Sequence, residues 1–345
     1  VPTTTRLTWV DTARGAAIVL VLVHHAVLFA TAEGFAHHGW TALDETLRLL
    51  RMPLFFFLSG LLAVRAVQRP WPELLRRRVS GDLWVYLLWA TAAFVVFSLI
   101  PYARDDLPTG PRGWLDQTLL LPGNGAWYLL ALALYLTVGR LTRRVPTAVL
   151  LPVAAVVSAV FGPGPLVRYS FVWNDVLTLF VFFAAGVRLR GPALRALTRT
   201  PGWPLALGAT AAVGALALAV TGLSLVQVPG VRLLVGAGAV VAGVLLAARL
   251  AGTALGRALA GIGARTLPVY VTHEIVLGVL VLALDPLGDV PLLDLTAPVL
   301  LVAAALAVCL PLRTPLSRVP WVLHAPWAAP RQREVRPTEV AVQQV

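Results

Sequence analysis

Apolar runs of about twenty residues, separated by short polar or arginine-bearing joints, recur along the whole chain. Ten such segments can be placed, at 13–31, 50–67, 82–101, 126–141, 146–162, 171–189, 203–222, 231–251, 267–284 and 296–312. At ~1.5 Å of rise per residue most are near the length that crosses a ~30 Å hydrocarbon core, the fourth and fifth being short. The pattern predicts an all-α polytopic membrane protein with about ten transmembrane helices in one domain over 1–313. A Pro-rich, polar tail over 314–345 is expected to be cytoplasmic and mostly disordered.

Composition supports that class. Hydrophobic residues make up 58% of the chain and charged ones 13%, more apolar surface than a soluble domain can bury. Every one of the 28 basic residues is arginine. They cluster in alternate joints and leave Arg48, Arg51, Arg104, Arg112, Arg168 and Arg232 on the opposite side. By the positive-inside bias both termini are expected in the cytoplasm of a multi-pass cell-membrane protein. The net charge of +12 is dispersed over these joints, which argues against a nucleic-acid partner. The single cysteine, Cys309, rules out an intrachain disulfide.

Candidate chemistry lies where ionisable groups enter apolar segments, because such groups are costly there without a role. Trp9–Phe29 carries Asp11, Arg14, His24 and His25. At ~100° per residue, Arg14 and His25 share a helix face roughly 16 Å apart along the axis, and His24 points about 100° away. Ala30-Thr31-Ala32 also reads as a leader cleavage site, but paired histidines in the would-be apolar core argue against one. Pro53 is expected in the first turn of the second segment, and Ser59 and Gly60 as packing residues. Arg76, Arg77 and Arg78 precede the third segment as topology anchors or phosphate ligands, with Asp82 placed to neutralise Arg78. Trp127 and Tyr128 are belt aromatics or a stacking surface for a sugar, and Trp173, Asn174 and Asp175 form a similar group. His273 and Glu274 in the ninth segment must meet a partner or line a cavity. Nothing in the histidine spacing has the register of a metal site.

Asp11-x-x-Arg14-Gly, the apolar run ending in His25, and Met52-Pro-Leu-Phe-Phe-Phe-Leu-Ser-Gly60 together resemble the acyltransferase family 3 membrane proteins. Ala126-Trp-Tyr128, Phe182-Phe-Ala-Ala-Gly186 and Gly263 through His273 extend the likeness over most of the chain. The resemblance implies a membrane O-acyltransferase that moves an acyl group, most often acetyl, from cytoplasmic acyl-CoA to a hydroxyl of a glycan, glycolipid or related sugar. It makes Arg14 and His25 the matching functional positions and puts Arg76, Arg77 and Arg78 at the donor site. The family commonly has two arginines three apart there, whereas Arg78 is followed at that spacing by Gly81. Acyl-CoA is then a donor substrate, with no permanently bound cofactor. His25 would serve as general base or form an acyl-imidazole intermediate. Trp127, Tyr128, His273 and Glu274 are the candidate acceptor-side residues. The rival reading is a transporter for a sugar, lipid or organic anion, which should show inverted repeats and paired broken helices.

Overall fold

The computed structural model describes residues 8–100, 110–197, 201–284, 286 and 292–327. The α-helices are α1 (Thr8–Ala32), α2 (His38–Ala63), α3 (Trp71–Leu74), α4 (Ser80–Leu99), α5 (Gly110–Leu115), α6 (Trp127–Leu141) and α7 (Thr147–Phe161). They continue as α8 (Phe171–Arg188), α9 (Arg190–Ala196), α10 (Trp203–Gly222), α11 (Val231–Leu250), α12 (Ala254–Gly263), α13 (Thr266–Leu282) and α14 (Leu293–Ser317). Among the described residues, seven helical stretches are long and apolar enough to cross a membrane; α12 and α13, bent by 80° at their junction, would add an eighth. α6 and α7, with 15 residues each, fall short of that length. The chain is therefore an all-α polytopic membrane protein. Each of the ten predicted segments coincides with a helix, but only seven or eight have the length and composition of a span.

α1 is the central pillar, packed by α2, α11, α12, α13 and α14. Ile18, Leu22 and Ala26 on it are fully buried. Two crossings depend on missing side chains. A Cβ on Gly60 of α2 would run into the Phe183 carbonyl, and one on Gly186 of α8 into the Phe57 carbonyl, so these backbones touch reciprocally. Gly15 of α1 and Gly263 of α12 do the same against Leu259 and Asp11. In lipid, where there is no hydrophobic drive between helices, such close backbone contact is a main source of association.

Three boundaries differ from the apolar pattern. α2 begins at His38, so Pro53 stands inside the helix and not in its first turn. The polar turns before Pro53 stay helical because Asp44, Arg48 and Arg51 find partners inside the bundle. Arg76–Arg78 precede the apolar stretch of the third span, as expected, but the helix already runs through them: they stand on a π-helical turn (Leu75–Val79) that fuses α3 to α4. The last helix continues to Ser317, and the segment after it docks on α4: Trp84 and Trp89 donate their indole N–H to the carbonyls of Trp321 and Val322 at 2.8 and 2.7 Å. The tail expected over 314–345 is thus packed as far as Trp327, and its remainder lies outside the described residues, as do Arg6, Arg104 and Arg199.

Candidate active site

Two cavities meet inside the bundle. The first, of about 280 Å³, is lined by His24 and His25 from α1, Arg48 and Arg51 from α2, Trp127 from α6 and Glu274 from α13. The second, of about 230 Å³, holds Arg14, Arg78, Asp82 and Thr266. Phe55, Tyr128 and Tyr270 line both. The ring of Tyr128 packs edge-on against Phe55 and Tyr270 at centroid distances of 4.6 and 5.5 Å, and its hydroxyl bonds to that of Ser59. Its backbone N–H donates to the Tyr270 hydroxyl at 3.1 Å. An aromatic layer therefore stands between an arginine-bearing chamber and a histidine-bearing one. The eleven-residue spacing along α1 puts Arg14 below this layer and His25 above it.

In the lower chamber a guanidinium N–H of Arg14 donates to the hydroxyl of Thr266, the first residue of α13 after the 80° bend. Of the arginine triplet only Arg78 lines the cavity; Arg76 and Arg77 are exposed on the same turn. Asp82 lines the same chamber and interacts with the charge of Arg78 as expected, although its Oδ2 is buried without a hydrogen-bond partner. Ser59, expected only to pack, contributes its hydroxyl to the chamber wall.

The upper chamber is a network of charge-assisted bonds. Asp44 accepts from Arg51 and pairs with His24 Nδ1, both at 2.7 Å. Asp175 accepts from Arg48 at 3.0 Å and lies 3.5 Å from Arg232. The sequence singled out His24 and Asp175 but left Asp44, Arg48, Arg51 and Arg232 without a place in the site. Their signal was present as three of the arginines that break the positive-inside count. His25 is buried, its Nδ1 lying 3.0 Å from the Val21 carbonyl and 3.2 Å from Nε2 of His273. Its own Nε2 faces Gly125, where a Cβ would come within 3.2 Å of it. Gly125 N–H donates to Glu274 at 2.8 Å. Trp127, Tyr128 and Glu274 line this chamber. His273, placed with them by sequence, is fully buried and stands behind His25, outside the lining of either chamber.

Comparison with known proteins fits this arrangement. The family model described as an acyltransferase domain matches residues 7–314. The chain belongs to that family, acyltransferase family 3. A curated relative, the inner membrane protein YcfT of Escherichia coli (strain K12), is 26% identical over 156 residues, covering 39% of this chain and 44% of the relative. The chain thus matches less than half the length of that protein. No solved structure matches it.

Proposed function

We propose that this protein moves an acyl group, acetyl in the first instance, from cytoplasmic acyl-CoA to a hydroxyl of a surface or secreted glycan, glycolipid or related sugar. The carrying observation is that His25 presents Nε2 to a chamber whose aromatic floor is also the ceiling of a chamber holding Arg14 and Arg78. Guanidinium forks suit the donor's phosphates, and exposed Arg76 and Arg77 extend the same basic surface outward. The donor's long arm then reaches the layer of Phe55, Tyr128 and Tyr270. On the other side, Trp127 offers a face for a sugar ring, and Glu274 and Asp175 offer acceptors for its hydroxyls.

In the reaction, His25 Nε2 takes the proton of the acceptor hydroxyl as that oxygen attacks the thioester carbonyl. The C–S bond breaks, and the leaving thiolate takes the proton back from the imidazolium. The products are the ester and free CoA thiol, and His25 is restored. The proposed layout counts the short α6 and α7 with the eight longer spans, giving ten membrane helices with both termini on the cytoplasmic side of a bacterial cell membrane. The arginine bias supports this, and the relative is named an inner membrane protein. The transporter alternative calls for paired broken helices, whereas the described residues hold one sharply bent pair.

The test is thiol release from acetyl-CoA by purified protein supplied with envelope glycans, with mass spectrometry of the glycans for added acetyl. His25→Ala is expected to lower turnover by roughly 10²–10⁴-fold without loss of folded protein. Arg14→Ala is expected mainly to raise KM for acetyl-CoA. Normal acylation by His25→Ala overturns the assignment of the base, and an unchanged donor dependence in Arg14→Ala overturns that of the donor chamber.

A further inference from the structure

His273 is a buried, bonded imidazole that the reaction above does not use. Its Nδ1 lies 2.5 Å from the carbonyl oxygen of Tyr270. A carbonyl only accepts, so Nδ1 carries the proton and the neutral ring has a bare Nε2. That bare nitrogen faces His25 Nδ1 at 3.2 Å. The other neighbour of His25 Nδ1, the Val21 carbonyl at 3.0 Å, is also an acceptor. With two acceptors around it, His25 Nδ1 holds the proton, and the lone pair is left on Nε2, on the side of Gly125 and the upper chamber. The two partners are not equal. Val21 is four residues back on α1, so its carbonyl already accepts the helical N–H of His25. It moves with α1 and relates the ring to nothing else. His273 belongs to α13, the helix that also carries Tyr270 and Glu274.

We infer that His273 is the positioning residue for His25: through its Nε2 it holds the His25 ring against α13, in the tautomer whose bare nitrogen faces the upper chamber. This rests on His25 being the base. Once His25 has taken a proton, the same lone pair of His273 also meets the imidazolium N–H. The paired rings, crossed at 81° with centroids 4.6 Å apart, leave His273 no access to substrate. Its work is done through His25 alone.

The experiment compares His273→Gln, His273→Asn and His273→Ala by the acetyl-CoA thiol-release assay, with His25→Ala alongside. Glutamine places an amide oxygen about where Nε2 stands and can accept from His25; asparagine is too short to reach. By analogy with partners that orient other imidazoles, His273→Ala should lose roughly 10- to 100-fold in kcat with KM for acetyl-CoA little changed. His273→Gln should recover most of that loss and His273→Asn little of it. A merely structural role for a buried ring predicts no advantage of glutamine over asparagine. Equal activity of those two, or full kcat in His273→Ala, overturns the inference while the base assignment stands. Full activity in His25→Ala overturns both. Should the alanine variant not fold, the glutamine–asparagine pair still decides.

Discussion

At the scale of single residues, the upper chamber depends on an absence. Gly125 sits between Glu274 and His25, and an added Cβ would lie 2.9 Å from Glu274 Oε2 and 3.2 Å from His25 Nε2. Of the two, His25 Nε2 is the atom the proposed reaction needs open to the acceptor, while Glu274 Oε2 accepts from the Gly125 N–H. The backbone angle is not at issue, since Gly125 is not among the residues with positive φ. Gly125→Ala should therefore lower turnover at least about tenfold, because a displacement of under an ångström at a reacting nitrogen is enough to spoil alignment. Its thermal stability should fall only modestly, since the atoms in the way are side-chain ends and not backbone. Turnover equal to the parent would mean that the space beside His25 Nε2 is not where the acceptor binds. The pairing of Arg14 and His25 on one face of α1 was legible because helical periodicity alone sets it. The closeness of Gly125 to His25 was not, because a loop residue is placed by tertiary packing and no spacing encodes it.

Helices α1, α2 and α14 are longer than their apolar stretches, and α2 shows why. Its first turns carry Asp44 and Arg48, which a search for apolar runs discards as a loop, and Arg51 stands where the run opens. They remain helical within the bundle because each charge is matched: Arg51, 3% exposed, to Asp44, and Arg48 to Asp175 across on α8. Removing one member of a buried pair leaves the other charge stranded, at a cost of about 3–5 kcal/mol, whereas removing both is often nearly neutral. Asp44→Asn, which keeps an oxygen for His24, should thus be strongly destabilised. Adding Arg51→Met should restore a large part of the loss. Thermal unfolding in detergent measures both, and a double variant no more stable than the single would refute the stranded-charge account. The π turn in the α3–α4 rod is the same kind of feature. It lies at the start of the rod whose Arg78 and Asp82 both line the lower chamber, and no count of apolar residues reports it.

For the whole molecule, the arginines that break the orientation bias carry the most information. A topological count supposes free charges that stay on one side of the membrane. Arg48 and Arg51 line the upper chamber and are paired with Asp175 and Asp44, and Arg232 reaches Asp175 from behind, so all three are tied to carboxylates and say little about sidedness. With these set aside, the described exceptions are Arg112 and Arg168, and the bias toward the Arg14 end grows stronger. Orientation is decisive for the proposed reaction, since acetyl-CoA is a cytosolic donor and the chamber holding Arg14 and Arg78 has to open toward it. The chain's single cysteine, buried Cys309, makes the question accessible. In a Cys309→Ser background, His38→Cys and Arg76→Cys place one thiol at an exposed position beyond each end of the site. A membrane-impermeant maleimide applied to intact cells should label His38→Cys and spare Arg76→Cys, with both labelled once the membrane is opened. The reverse pattern would set the arginine chamber on the side away from its donor, and no assignment of His25 as base would then rescue the acyl-transfer reading.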